Sequence, residues 1–283
     1  MTTSISNSKI TAQIKHLGAE LCSLKKSTNI EYIWEGNPKY WGKHSPILFP
    51  IVGTLKNNSF SYNNIEYNLS RHGFARDMEF ELVQKKENSA TFSLKSSAET
   101  LKIYPFEFEL HIIYTLKENS LSIDYQVINT NNNLMPFSIG AHPAFSLVGN
   151  FEDYSIEFDQ QEPLEYFLLE NDLISNNTKK LEVANKQIPL NYDLFSNDAL
   201  IFKHLKSNSL TIIRGLKPIL KVTFADFPNL GIWTKEKAPF ICIEPWFGYS
   251  DTNKNSGNLF EKEGIQILNP KEKFNSTYSI KIL

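Results

Sequence analysis

An all-β fold, a large antiparallel β-sandwich with few short helices, is what this sequence predicts. Three observations carry it: short runs alternating apolar and polar residues, Asn-, Ser- and Gly-rich clusters between them, and no long amphipathic helical pattern. Successive side chains of a strand point to opposite faces, so such alternation marks a half-buried sheet. Many short strands without intervening helices fit a sandwich or barrel better than a βαβ fold.

The first run, residues 8–14, places Ile10, Ala12 and Ile14 on one face. Strands are expected next at 31–34, 60–69, 79–84 and 90–94. Residues 97–103 read as one short helix, stopped by Pro105. Strands follow at 106–116 and 121–127; in the latter Leu121, Ile123, Tyr125 and Val127 oppose Ser122, Asp124 and Gln126. The remaining candidates are 154–158, 200–204, 210–213, 220–224, 231–234, 240–244, 265–268 and 277–282. Turn-forming clusters at 56–59, 129–133 and 253–257 separate them.

A chain of 283 residues with 41% hydrophobic and 21% charged residues has the balance of a globular protein with a sizeable core. With no Pro/Gly-rich linker and no repeat, one domain over residues 1–283 is expected. The net charge of −2 gives no electrostatic reason for a nucleic-acid or membrane partner. No apolar run is long enough for a transmembrane helix, and the first residues lack the pattern of a secretory signal. The two cysteines, Cys22 and Cys242, form neither a disulfide framework nor a zinc pattern. A cytoplasmic protein, monomeric or homodimeric, is the expectation. Of only three arginines, Arg71 and Arg76 fall within six residues of each other, which hints at a site needing arginine's rigid fork.

Four segments look unlike ordinary strand or turn: Leu48-Phe49-Pro50-Ile51-Val52-Gly53, Arg71-His72-Gly73-Phe74-Ala75-Arg76, Gly140-Ala141-His142-Pro143-Ala144-Phe145 and Cys242-Ile243-Glu244-Pro245-Trp246. If extended, the second would point Arg71 and Gly73 one way and His72 and Phe74 the other. Taken singly, His72 reads as a backbone-bonded histidine and His142 as a turn histidine. Glu244 ends an apolar run that reads as a buried strand, sharing a face with Cys242. A carboxylate there is costly to desolvate without a partner, and burial raises its pKa toward that of a useful base. The bland alternative is an ion pair with a lysine; Trp246 beside it is a candidate wall for a ligand site.

Dinucleotide, phosphate-loop, nucleophile-elbow and metalloprotease motifs are all absent. His72 and His142 with Glu244 could ligate a metal, and nothing in these residues alone separates that from metal-free acid–base chemistry.

Together these segments, with Gly18-Ala19-Glu20-Leu21, Tyr32-Ile33-Trp34, Tyr104-Pro105-Phe106 and Met135-Pro136-Phe137-Ser138, resemble the aldose 1-epimerase (galactose mutarotase-like) family in its LacX-like branch. The resemblance implies a supersandwich with a concave sugar-binding face and a cofactor-free mechanism. It implies Glu244 as general base, His142 as the acid that protonates the ring oxygen, and His72 and Arg71 as sugar-binding residues. Asp198 is the best match to a family aspartate that contacts sugar hydroxyls, with Asp193 and Asp226 as competitors. One departure is that Thr54-Leu55-Lys56 follows Gly53 where galactose mutarotases carry an Asn-Arg pair, leaving Lys56 as the candidate replacement. Arg71 and Arg76 would serve a phosphorylated substrate.

Mutarotation opens a cyclic hemiacetal and closes it on the other face. It needs one proton removed from the anomeric hydroxyl and one delivered to the ring oxygen, which a glutamate and a histidine can do near neutral pH. The reading is therefore an isomerase acting on a small-molecule sugar. A non-catalytic sugar-binding protein of the same fold and a metal-dependent isomerase or lyase are the alternatives.

Overall fold

The computed structural model describes residues 1–183 and 185–283. Two large antiparallel sheets dominate it. The first has nine strands, in the order Gln187–Pro189, Tyr154–Phe158, Ser209–Arg214, Lys217–Thr223, Lys273–Ile282, Ser120–Asn129, Phe108–Lys117, Ser89–Lys95 and Glu81–Lys85. The second runs Leu173–Leu181, Leu164–Glu170, Leu200–Lys203, Asn229–Trp233, Phe240–Phe247, Ile139–Ala141 and Ile47–Leu48, with Ala144–Ser146 as an eighth strand on Phe240–Phe247. Thr2–Ser6, Ile10–Lys15 and Leu21–Lys26 form a small third sheet.

Alternation explains how the sheets stack. Ser120–Asn129 buries every second residue, and Phe108–Lys117 does the same beside it. Their inward side chains, among them Leu110, Ile112, Ile123 and Tyr125, join Ile241 and Ile243 of the other sheet in one apolar cluster. Phe240–Phe247 is covered on both faces. Phe240 and Cys242 pack with Trp34, Ala144 and Ala238, while Trp246 packs with Leu48, Val52 and Ile201. Period-two geometry therefore places Cys242, Glu244 and Trp246 on the face turned away from the inter-sheet core.

The expected helix is present as Ala98–Ile103, started by Ser97, whose side chain accepts the Thr100 N–H in a capping box. No helix among the described residues is long and apolar enough to cross a membrane.

Several strand expectations are corrected. Residues 60–69 form a hairpin of Ser59–Tyr62 and Ile65–Asn68, because Asn63 and Asn64 both take positive φ, 51° and 61°, and turn the chain. Residues 31–34 make only isolated bridges. Leu173–Leu181 escaped notice because it is an edge strand, polar from Ser175 to Lys180. Ile139–Ala141 and Ala144–Ser146 are too short to show a period.

Candidate active site

A cavity of about 430 Å³ opens on the outer face of the eight-stranded sheet, within the range of small-molecule sites. Its wall includes Trp41, Arg71, His72, His142, Asp198 and Glu244. All five candidate residues thus meet in one place, from segments far apart in sequence.

Glu244 and His142 are brought together by strand register. Gly140 pairs with Trp246, and Ala144 with Cys242, on either side of the break at Pro143. The register is continuous across that break, so His142 falls directly opposite Glu244. Its Nε2 lies 3.2 Å from Glu244 Oε2, and the Glu244 side chain is only 2% exposed. Among the described residues no lysine pairs with Glu244, so the bland ion-pair alternative is not what the fold builds. Burial raises the Glu244 carboxyl well above its ordinary range, with Arg71 opposing and Asp198 reinforcing the shift. Burial lowers His142 to about 3, and the charges of Arg71 and Arg76 push the same way. Burial therefore favours the neutral form of each partner, carboxylic acid and imidazole.

Trp41 stacks on His142, with ring centroids 4.8 Å apart and planes 25° apart, and Trp233 meets it edge-on at 5.8 Å. Trp246 forms the wall the sequence suggested. It lies across Gly231, where a Cβ would come within 2.6 Å of the indole, so only glycine admits the ring there.

The segment at 71–76 is not extended. His72 and Gly73 both have φ of 69°, so the alternation expected there fails, and Arg71 and His72 face the same cavity. Phe74 turns into the core. A histidine in the left-handed region is uncommon and is held here from two sides. The His72 N–H donates to Gly53 O at 2.8 Å, and the Gly53 N–H donates to His72 Nδ1 at 3.1 Å. An Nδ1 that accepts leaves the proton of the neutral ring on Nε2. Burial lowers the His72 pKa well below its ordinary value, helped by His142, Arg71 and Arg76. A neutral ring accepts at one nitrogen only, and the shorter bond from the fixed Gly53 backbone decides which, so the 3.3 Å approach of Arg71 Nε to Nε2 is a contact rather than a hydrogen bond.

Asp198 also has positive φ, 76°, and its Oδ1 accepts the Ala199 N–H at 2.8 Å. Its Oδ2 is 3.7 Å from Arg71 Nη2, while Asp172 takes Arg71 Nη1 at 3.1 Å. Of its competitors, Asp226 accepts the Thr277 N–H elsewhere and Asp193 lies in a separate turn, Tyr192–Phe195. Neither lines the cavity. Lys56 is corrected as a replacement for the Asn-Arg pair: its Nζ donates to Asn255 O, and it is absent from the cavity wall.

Tyr40, Trp41, Trp233 and Lys235 also line the cavity and were not found from sequence. The pair Tyr40-Trp41, set between Pro38 and Gly42 in an otherwise polar loop, was a usable signal for one wall.

One ligand atom from each of His142, Cys242 and Glu244 lies within 4.8 Å of the others, the one such group found among the described residues. That set of nitrogen, sulfur and oxygen suits a thiophilic divalent ion. Metal-ligating histidines, however, almost always donate their second ring N–H to a partner, and His142 Nδ1 is buried without one. The group therefore fits a resident metal poorly.

A β-sandwich with a buried carboxyl–imidazole pair at the floor of an aromatic-walled cavity carries the groups for acid–base chemistry on a small molecule. The chain belongs to the aldose 1-epimerase family, whose model matches residues 1–281, and is an isomerase of that kind. It is 41% identical to the plasmid-encoded protein LacX of Lactococcus lactis subsp. lactis, over the full length of both chains. Its structure resembles that of a galactose mutarotase related enzyme from Lactobacillus acidophilus, with TM-score 0.95 and 35% identity, covering 100% of this chain and 97% of that one. A galactose mutarotase-like protein from Lactobacillus casei ATCC 334 gives TM-score 0.95 at 31% identity over the whole of both.

Proposed function

We propose that the chain interconverts the α and β anomers of an aldohexose, with Glu244 as base and His142 as acid. The observation that carries this reading is the 3.2 Å contact between their buried side chains at the cavity floor. Opening the ring consumes a glutamate anion and an imidazolium, and yields an aldehyde, a neutral carboxylic acid and a neutral imidazole. The pair holds one proton throughout, and the freed aldehyde turns before closure reverses the transfers. The neutral state that burial favours is the state reached on ring opening. Each half of the charged state that precedes it has a neighbour that favours it, although Arg71 also works against the imidazolium. Arg71 opposes the rise of the Glu244 pKa, and the Trp41 face stacked on His142 favours an imidazolium by about 0.5–2 kcal/mol. His72 Nε2–H donates to a sugar oxygen beside the Arg71 guanidinium, while Asp198 accepts from a hydroxyl.

A phosphorylated hexose is the second reading. Arg71, Arg76 and Lys235 all line the cavity, against the carboxyls of Asp198 and Glu244 alone.

The test is anomer exchange followed by NMR or polarimetry on glucose, galactose and hexose 6-phosphates, with wild type beside Glu244→Gln. Acceleration by wild type alone establishes the reading, and the best substrate decides between neutral and phosphorylated sugars. Undiminished activity in Glu244→Gln removes Glu244 from the base role.

A further inference from the structure

The cavity does not account for one group of buried charges. Lys262 and Asp251, with side chains 1% and 2% exposed, form an ion pair at 2.8 Å away from the cavity wall. Burying two charges is costly unless neighbours bond to them, and here both partners make further bonds. Asp251 Oδ1 also accepts from Asn255 Nδ2 at 3.1 Å, and Lys262 donates to Tyr249 O.

The pair leads to His72 by a continuous path. Asp251 Oδ2 accepts the Lys56 N–H at 2.9 Å, and the Asp251 N–H donates to Thr54 O at 2.8 Å. Next to it, Ser250 Oγ accepts the Thr54 N–H at 2.9 Å. Asp251 and Ser250 therefore grip both sides of the turn that begins at Gly53. Gly53, at φ 73°, packs so closely on Ser250 that any Cβ would collide with it. The Gly53 N–H then reaches His72 Nδ1, and Gly53 O receives the His72 N–H. Nothing else among the described residues bonds to Nδ1.

We propose that the buried Asp251–Lys262 pair, with Ser250, is a positioning device for His72. It holds the Gly53 amide where it fixes the Nε2–H tautomer that faces the sugar. Asp251, Lys262 and Ser250 touch no substrate and act only through residues 53–56. The effect on catalysis rests on the sugar-binding role given to His72 above; the effect on the His72 ring does not.

The experiment compares wild type, Ser250→Ala and the charge-neutral double variant Asp251→Asn/Lys262→Met. It uses ¹⁵N NMR of the His72 ring across pH 5–8, together with KM and kcat for the best sugar. Wild type should show a single tautomer, protonated at Nε2, with no titration in that range. Both variants should show mixed tautomers, a His72 titration entering that range, and a KM raised about tenfold with kcat within about twofold. A lower Tm with unchanged His72 ring signals and unchanged KM overturns the proposal and leaves a purely structural ion pair. Mixed tautomers in wild type overturn it as well. Should the double variant fail to fold, Ser250→Ala, which leaves no buried charge unpaired, carries the test alone. Should wild type epimerise none of the sugars, the failure lies with the proposed function, and the ring signals still decide the positioning role.

Discussion

The two large sheets use the same antiparallel pairing and treat polar residues in opposite ways. In Ser120–Asn129 of the nine-stranded sheet, Asp124 points to the outer face, where Thr277 Oγ1 donates to its carboxylate at 2.6 Å beside solvent. In Phe240–Phe247 of the eight-stranded sheet, seven of the eight residues are buried, and Glu244 is one of them. A carboxylate on the first sheet is solvated decoration. One on the second is held out of water against a strong desolvation penalty, and only a partner that shares its proton makes it tolerable. The difference teaches that a polar residue on a strand covered on both faces is a stronger pointer to chemistry than the residue type alone.

The sharpest way to break that comparison is to remove both carboxylates in turn. Glu244→Gln should cost on the order of 10²–10⁴-fold in anomer exchange by NMR. Asp124→Asn should leave the rate unchanged and stability within about 0.5 kcal/mol. Comparable rate losses in the two variants would end the argument.

Truncating the inter-sheet core should do the reverse. Ile112→Ala, at a fully buried position of the nine-stranded sheet, should cost about 2–5 kcal/mol in urea unfolding while KM stays put.

The linkage of the catalytic pair to pH sharpens the contrast further. His142 has a folded pKa lowered from 6.5 to about 3. Its contribution to stability is therefore full above 6.5 and is lost as pH falls toward 3. Glu244 has a raised folded pKa, so its contribution is full below its ordinary 4.5 and is lost as pH rises through the folded value. His142→Asn should flatten the acid limb of the stability profile and Glu244→Gln the alkaline limb, each read from urea unfolding at a series of pH values.

The smallest effect concerns metal. With His142 Nδ1 unpartnered, a strong chelator should leave the exchange rate unchanged; loss of activity restored by a divalent ion would assign the His142, Cys242 and Glu244 group a metal after all.

Much of the fold was legible because the nine-stranded sheet is half-buried, and half-burial writes itself as alternation: residues 121–127 and 154–158 stand as read. The eight-stranded sheet was harder. Its central strand is apolar at every position but Glu244, and its short strands carry no period; in the separate hairpin of Ser59–Tyr62 and Ile65–Asn68, the Asn63-Asn64 turn hid inside what looked like one strand. Among site residues, Glu244 was conspicuous as a charge closing an apolar run. Trp233 and Lys235 carried no such mark, since a tryptophan on a strand is ordinary core until its face is known.

By itself the sequence determined the sheet-forming pattern, the capped helix at Ser97 and the set of residues able to move protons, because these follow from side-chain type and local period. Only the tertiary structure decided which of them meet. Register across Pro143 sets His142 opposite Glu244, and left-handed turns at His72 and Asp198 swing their side chains into the same cavity. Both depend on long-range pairing and on backbone dihedrals, which no local spacing of residues encodes.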